Sequence, residues 1–275
     1  MELSLDTITA PGGTPSRWAL FLHGILGTRA NWRVFARRLV QARPDLGAVL
    51  PDLRNHGRSQ GAPAPHTLDA VAEDLALLAA RHGGRFHLAV GHSYGAKAAL
   101  ALLRRDASLV ERLVLVDASP GARTDPAGSA LVLEVLGALK AVQGERFASR
   151  EAFLAALASR GFGGALGQWL AMNLGPLEGG LSLVVQVPRI EAMLADYFPT
   201  DLWGVIDPPP GALRVHFLAG GRSGALSEAD RSRVRSLASE HPGRVTLELF
   251  PEAGHWVQVD APEAVAQSLL RAVNG

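Results

Sequence analysis

One serine in the chain has the neighbours of an activated nucleophile. Ser93 lies in GHSYG, Gly91 to Gly95, which fits the G-x-S-x-G pattern. In such a turn a buried strand leads directly into a helix, and flanking glycines let the two approach while the serine adopts a strained conformation. An ordinary turn with a capping serine is the alternative, but the apolar segment before and the helical segment after it favour a nucleophile. The first N–H groups of that helix favour negative charge.

A second glycine-containing loop could stabilise the charge that such an attack creates. Residues 23 to 27 read HGILG and follow an apolar segment. Two backbone N–H groups aimed at a tetrahedral oxyanion contribute about 3 kcal/mol each. We expect Ile25 and Tyr94 to supply them and His23 to border the substrate. A plain glycine turn, with His23 hydrogen-bonded to backbone, is the alternative interpretation.

A nucleophilic serine needs a base, and one histidine is placed to provide it. Of the nine histidines, only His255 lies in a glycine-bearing loop after the last predicted strand and before the final helix. A histidine that follows the nucleophile in this position is typical of the G-x-S-x-G arrangement. The sequence therefore predicts that His255 accepts the proton of Ser93, the alternative being a surface histidine without a catalytic role.

The acid that would orient this histidine is less evident in the sequence. The loop after the penultimate predicted strand has Ser223 where a carboxylate would be expected. Asp117 ends another predicted strand at the same edge of the sheet, so its carboxylate could reach the imidazole of His255 and fix its tautomer. We favour Asp117, with Glu228 and Asp230 as alternatives.

The order of apolar and helical segments indicates how these residues are positioned. Nearly continuous apolar segments alternate with segments of helical periodicity, which is typical of a parallel sheet that helices cover on both faces. The sequence therefore predicts an α/β fold. The predicted strands are 17–24, 47–53, 86–92, 112–118, 213–220 and 245–251, and the predicted helices are 31–42, 67–82, a segment ending near 105, 227–240 and 262–273.

The alternation is interrupted once. Between residues 120 and 205 the sequence has helical stretches with glycine breaks and no comparable strand signal, and the alternation resumes after DPPPG at 207–211. We expect a helical cap of residues 120–205 inserted into a core of residues 1–119 and 206–275. Apolar cap side chains are expected to line a hydrophobic pocket for an acyl group. The candidates are Trp169, Met172 and Phe198.

Composition excludes several classes of function. The 27 basic and 26 acidic residues give a formal charge of +1 without a basic tract, so no nucleic-acid partner is expected. No apolar run reaches the roughly 18 residues of a membrane span.

The absence of cysteine excludes disulfides and thiolate chemistry. No HExxH or similar pattern indicates a metal site, and we expect no cofactor. The amino-terminal residues lack the features of a secretion signal, so a cytoplasmic location is expected.

The motifs together resemble a known family. HGILGTRANW, DLRNHGRS, GHSYGAKAA, VDASP and AGHWVQVDAPE occur in the order typical of α/β-hydrolase-fold enzymes, over residues 17–273. They are most similar to the short-chain esterase and acyl-CoA thioesterase-like branch, in which several members have their acid at the position of Asp117. Lys97 occupies the lysine position of the family's HSMGGK motif. Tyr94, Gly95 and Ala96 stand where the family usually has Met-Gly-Gly, a difference expected to reshape the pocket floor.

The resemblance implies a serine hydrolase that cleaves ester or thioester bonds of small, largely apolar acyl substrates through an acyl-enzyme. It also implies that the loop around His56 supports the entrance of the site. Two alternatives remain open at this point: a carbon–carbon bond hydrolase or lyase that uses the same three residues, and a non-catalytic ligand receptor of this fold. The expected partner is a small molecule, and the expected assembly is a monomer or a homodimer.

Overall fold

The computed structural model describes residues 1–123 and 130–274. A seven-stranded sheet with helices on both faces forms its centre, and residues 174–183 form a separate two-stranded hairpin. The strands are β1 (Leu5–Ile8), β2 (Arg17–Leu22), β3 (Leu46–Pro51), β4 (Leu88–His92), β5 (Arg112–Val116), β6 (Leu174–Leu177), β7 (Gly180–Leu183), β8 (Arg214–Gly220) and β9 (Val245–Phe250).

In the described part of the chain, ten α-helices connect and cover these strands. Within residues 1–123 and 130–274, none of the helices combines the length and the apolar character that crossing a bilayer requires. The helices are α1 (Arg33–Ala42), α2 (Leu68–Arg81), α3 (Tyr94–Arg105), α4 (Ala130–Val142), α5 (Arg150–Ala158), α6 (Gly164–Leu170), α7 (Val187–Tyr197), α8 (Glu228–Glu240), α9 (Val257–Asp260) and α10 (Pro262–Asn274).

The sheet confirms the predicted α/β fold. Its strand order is β1-β3-β2-β4-β5-β8-β9, and every pair is parallel except β1 with β3. Every residue of β3 and β4 is buried, as expected for strands that helices cover on both faces. All strands of this sheet except β1 run in the same direction. The loops after β2, β4, β5, β8 and β9 therefore meet at one edge.

Successive residues of one strand pack against different helices. On β2, Leu20 belongs to a hydrophobic cluster with side chains of α2 and α3, whereas Phe21 belongs to a second cluster with side chains of α1 and α10. Since strand side chains alternate between the two faces, one apolar strand anchors helices on both sides. These two clusters hold the sheet edge that carries the loops in a fixed position.

The segment between β5 and β8 contains helices α4 to α7 and one element that the sequence pattern did not predict. Strands β6 and β7 form an antiparallel hairpin, and Gly179 and Gly180 at its turn have φ angles of 77° and 157°. Four-residue strands are too short for a period of two to stand out from helical sequence. Residues 124–129 of the expected cap lie outside the described residues.

The turn between β4 and α3 is built from closely packed main chain. A Cβ atom on Gly91 would lie 2.4 Å from the carbonyl oxygen of Gly95, and one on Gly95 would lie 2.6 Å from the carbonyl oxygen of Leu22. Ser93, between the two glycines, has φ 53° and ψ −116°, in the region that non-glycine residues rarely adopt. Both glycines are therefore required for β2, β4 and α3 to approach one another.

The close contact predicts a large cost for one added methyl group. We expect Gly91→Ala to lower the free energy of unfolding by about 2–3 kcal/mol, because the new Cβ meets backbone atoms that cannot move independently. Gly137→Ala in α4 is the matched control: a Cβ there meets nothing within 4 Å, and alanine raises helix stability by up to about 1 kcal/mol. Urea denaturation of both variants measures the difference. Equal stabilities would contradict this packing.

Candidate active site

Ser93 lies where strand β4 meets helix α3, at the sheet edge that carries the loops. Its N–H donates to the carbonyl oxygen of Val116 at 3.1 Å, and its own carbonyl oxygen accepts from the N–H of Ala96 at 3.0 Å. The side chain is partly exposed although Gly91, Tyr94 and Gly95 around it are buried. The strained turn thus holds the Ser93 hydroxyl above a buried main chain, in front of the N-terminus of a twelve-residue helix.

The loop after β2 passes directly beside the serine. A Cβ on Gly24 would lie 3.4 Å from the Cβ of Ser93. The next turn is fixed at Leu26, whose φ is 59°: its N–H donates to Nε2 of His56 at 3.0 Å, and its carbonyl oxygen accepts from Nδ2 of Asn173 at 2.9 Å. Ile25 lies between Gly24 and Leu26, and it borders the same two cavities that Ser93 borders.

His255 faces the same space and is held from two sides. Its Nδ1 lies 2.7 Å from Oδ2 of Asp117, and its carbonyl oxygen accepts a hydrogen bond of 2.9 Å from Nε2 of His92. The imidazole is 37% exposed, and it borders both cavities that Ser93 borders. Since Nδ1–H donates to the carboxylate, Nε2 carries the lone pair that can accept a proton.

Asp117 is buried at the end of β5 and accepts three hydrogen bonds. Its Oδ1 accepts from the N–H of Gly220 at 3.0 Å, and its Oδ2 accepts from Oγ of Ser223 at 2.5 Å as well as from His255. Its backbone φ is 48°, a strained value for aspartate. These three hydrogen bonds offset the cost of removing the carboxylate from water.

Ser223 lies in the loop after β8, at the position where the sequence pattern predicts a carboxylate. Its hydroxyl instead donates to the carboxylate of Asp117. The two alternative acids lie elsewhere: the carboxylate of Glu228 pairs with Arg235 at 2.7 Å, and that of Asp230 accepts from Ser227 in the capping box of α8. The imidazole of His255 is instead bonded through Nδ1 to Asp117.

Three buried histidines position the site without being available for proton transfer. His23 donates from Nδ1 to the carbonyl oxygen of Gly24 and accepts the N–H of Leu53 at Nε2. Burial lowers the pKa of His23 to about 4, and it lowers the pKa values of His56 and His92 to about 3 each. Because both ring nitrogens of His23 are bonded to backbone, only its carbon atoms are available to border a substrate.

Two cavities flank Ser93 and His255. The first is mainly apolar and runs under α4 and α6, where the rings of Trp169 and Trp256 are 5.7 Å apart. The second lies between α7 and the loop after β8. The first cavity is lined by His23, Ile25, Leu26, Trp32, Val135, Leu166, Trp169 and Trp256 among others, and the second by Tyr94, Arg123, Leu194, Tyr197, Phe198 and Arg222 among others.

The expected pocket residues are distributed unevenly. Trp169 borders the first cavity and Phe198 the second, whereas Met172 lines neither in the described part of the chain. Tyr197, which the sequence pattern did not indicate, also borders the second cavity beside Phe198. Helical periodicity did not indicate that both of these adjacent aromatic residues border this cavity. Among residues 1–123 and 130–274, no group of three or more histidine, aspartate and glutamate side chains could hold a metal ion.

The chain is similar to proteins of one family over nearly its whole length. The sequence model of the alpha/beta hydrolase family matches residues 19–268. The mouse (Mus musculus) sn-1-specific diacylglycerol lipase ABHD11 is 30% identical over 272 residues, covering 96% of this chain and 82% of its own. Esterase YbfF of Escherichia coli (strain K12) is 28% identical over 280 residues and covers 100% of both chains. A solved marine microorganism esterase has a TM-score of 0.83 at 23% identity, covering 98% of this chain and 99% of its own, and so shows the same fold.

The buried histidines make stability depend on pH. Their folded pKa values lie below the ordinary 6.5, so the unfolded chain binds more protons below pH 6.5. Their contribution is present above pH 6.5 and is lost as pH falls toward about 4 for His23 and about 3 for His56 and His92. We expect the free energy of unfolding to fall between pH 6.5 and 5 by roughly 1 kcal/mol per pH unit for each histidine.

Urea denaturation at several pH values measures this slope. Histidine NMR provides the control, since the imidazoles of His23, His56 and His92 should keep the chemical shifts of the neutral form down to pH 5 in the folded protein. A free energy of unfolding that stays constant from pH 7 to pH 5, or protonation of these three rings near pH 6.5, would contradict the structural role given to them.

Proposed function

The chain belongs to the alpha/beta hydrolase family, and from this premise we propose that it hydrolyses carboxylic esters or thioesters of small, largely apolar acyl groups. One observation carries the proposal: a histidine bonded to a buried carboxylate borders the same cavities as the serine of a strained elbow. In this proposal Ser93 is the nucleophile, His255 the base and Asp117 the acid. The names of the relatives, an esterase and a lipase, support an ester as the bond that is cleaved.

In the first half of the reaction, Ser93 forms an acyl-enzyme. Its Oγ attacks the substrate carbonyl carbon while the hydroxyl proton passes to Nε2 of His255. Asp117 keeps the other imidazole nitrogen protonated and stabilises the imidazolium that forms. The same proton then passes to the departing alcohol or thiol as its bond to the carbonyl carbon breaks.

Backbone groups stabilise the tetrahedral oxyanion. The proposed donors are the N–H of Tyr94, the first residue of α3, and the N–H of Ile25 in the loop beside Ser93. The hydrogen bonds that fix Leu26 to His56 and Asn173 hold this loop in place before substrate arrives. Donors that need no reorganisation during the reaction stabilise the transition state more than mobile ones.

In the second half, water releases the acyl group. His255 accepts a proton from water, the hydroxide attacks the acyl carbonyl carbon, and the bond from that carbon to Oγ of Ser93 breaks. The proton on His255 then returns to Oγ, and the free carboxylic acid leaves. The enzyme is restored without any change in the protonation of Asp117.

The two cavities fit the two parts of an ester. The first, lined by Trp32, Val135, Leu166, Trp169 and Trp256, would take the apolar acyl chain. The second, which Arg123, Phe198 and Arg222 border, would take the alcohol or thiol part. An apolar cavity with a few polar groups at one end is typical of sites for small molecules.

The proposal predicts that activity depends on a single hydroxyl. Ser93→Ala should lower kcat for p-nitrophenyl butyrate by about 10⁴-fold or more, because no covalent intermediate can form. Ser108→Ala, which alters an exposed serine whose N–H donates to the capping carboxylate of Asp106, should keep parent activity. Initial rates over a range of substrate concentrations measure both. Parent-like turnover by Ser93→Ala would contradict the proposal.

The acid assignment has its own test. Asp117→Asn should lower kcat by about 10⁴-fold with little change in KM. A neutral amide can hold the imidazole in the wrong tautomer, and it lacks the negative charge that stabilises the imidazolium. Glu228→Gln removes an exposed carboxylate paired with Arg235 and should leave both constants unchanged. If Asp117→Asn retained near-parent kcat while Glu228→Gln or Asp230→Asn lost it, the acid would be one of these two residues instead.

A further inference from the structure

The two cavities beside Ser93 differ in the charge of their walls. In the described part of the chain, no aspartate, glutamate, lysine or arginine lines the first cavity. The second cavity is lined by Arg123 and Arg222 together with Asp117. The carboxylate of Asp117 is buried and already accepts three hydrogen bonds. The charged side chains left to meet a ligand in the second cavity are therefore the two arginines.

The side chain of Arg123 extends along this cavity from one side to the other. Its backbone N–H donates to the carbonyl oxygen of Phe198, directly after α7, at 2.7 Å. Its Nη2 donates to the carbonyl oxygen of Gly224, in the loop after β8, at 2.8 Å. Phe198 and Gly224 both border the second cavity, which lies between α7 and this loop. These two bonds hold the guanidinium of Arg123 at the wall of the cavity.

The two arginines differ in their partners. The guanidinium of Arg222 forms a salt bridge with the carboxylate of Glu252. Arg123 instead bonds a neutral carbonyl group, and no salt bridge among the described residues includes it. A guanidinium has five N–H donors, so the bond to Gly224 leaves others for a ligand. Arg123 therefore brings a positive charge to the second cavity that no described carboxylate neutralises.

A buried ammonium lies behind the same wall. Nζ of Lys97 is 4.5 Å from the centre of the Tyr197 ring, which borders the second cavity. It donates to the carbonyl oxygens of Tyr197 at 3.0 Å and Thr200 at 2.8 Å. Burial, and to a lesser extent the charge of Arg123, lowers the pKa of Lys97 to about 8, although nearby carboxylates oppose this shift. At pH 7 Lys97 is therefore a second cation beside Arg123.

We propose that the second cavity is an anion subsite, in which Arg123 binds a carboxylate carried by the alcohol or thiol part of the substrate. The proposal rests on the proposed function of Ser93 and His255. One guanidinium without a carboxylate partner matches one negative charge, and its planar N–H groups match the two oxygens of a carboxylate. The cavity volume, about 370 Å³, lies within the range of sites for small molecules. The uncharged first cavity takes the acyl part.

Two esters that differ in one charge test this subsite. In 4-carboxyphenyl butyrate and 4-carbamoylphenyl butyrate the acyl group is the same and the leaving groups have nearly the same shape. The ratio of their kcat/KM values measures the preference for the anion. We expect Arg123→Gln to lower this ratio roughly tenfold at pH 7, because a hydrogen bond to a charged group is lost. The kcat/KM of the neutral ester should change less than about twofold. Initial rates measure both esters.

A matched variant and a salt series serve as controls. Arg105→Gln removes the same charge from an exposed pair with Glu73, at 3.4 Å, at the end of α3 far from Ser93, and should keep the parent ratio. Raising NaCl from about 20 mM to about 500 mM should lower the ratio of the parent severalfold, since salt screens a partly exposed charge. The salt series needs no variant, so it tests the subsite even if Arg123→Gln does not fold. Circular dichroism shows whether each variant is folded.

The outcomes separate this subsite from the proposed function. A tenfold lower ratio in Arg123→Gln alone, with a parent ratio that falls as salt rises, supports the subsite. An unchanged ratio in folded Arg123→Gln, or an equal loss on both esters, overturns it, since Arg123 then only connects α7 with the loop after β8. A parent ratio that does not depend on salt also overturns it. All these results leave Ser93 as the nucleophile, whereas a parent protein that hydrolyses neither ester contradicts the proposed function itself.

Discussion

The site depends on a close contact of main chain at the point where three elements meet. Strand β4 turns into α3 against the end of β2, and the distances at Gly91 and Gly95 leave no space for a side chain. Ser93 therefore takes a strained backbone conformation, whose cost the surrounding packing must offset. In return, the hydroxyl stands in front of a helix N-terminus and beside the loop that carries Ile25. A less closely packed turn would displace the Ser93 hydroxyl from both the helix N-terminus and the loop of Ile25.

The parallel sheet supplies the remaining groups from distant parts of the chain. Pairing of β5 with β8 places the carboxylate of Asp117 next to Gly220 and Ser223, over 100 residues later in sequence. The loop after β9 then brings His255 to the same carboxylate. A buried charge is expensive unless it is hydrogen-bonded, and three donors compensate that of Asp117. This arrangement fixes the imidazole more firmly than a single contact would.

Much of this architecture could be predicted from the sequence, for identifiable reasons. Buried parallel strands are continuous apolar segments, so the strands that precede Ser93 and Asp117 are easily recognised in the sequence. The glycines of GHSYG indicate that main chain packs closely at this turn. The hydrogen bond from Ser223 to Asp117 could not be predicted, because it depends on the register of β5 with β8. The sequence pattern does not specify that register. Tyr197 was missed because helical periodicity shows which side of a helix is apolar but not which residues that side contacts. The hairpin β6–β7 was missed because each of its strands has only four residues.

The central claim is that Ser93 is held as an activated nucleophile, and covalent labelling tests it most directly. Treatment of the folded protein with a fluorophosphonate should add one phosphonyl group, and peptide mass spectrometry should locate it on Ser93. Labelling should disappear in unfolded protein, where neither the elbow nor the imidazole of His255 is in place. Failure of the folded protein to react, or modification of another residue with Ser93 left intact, would contradict this account.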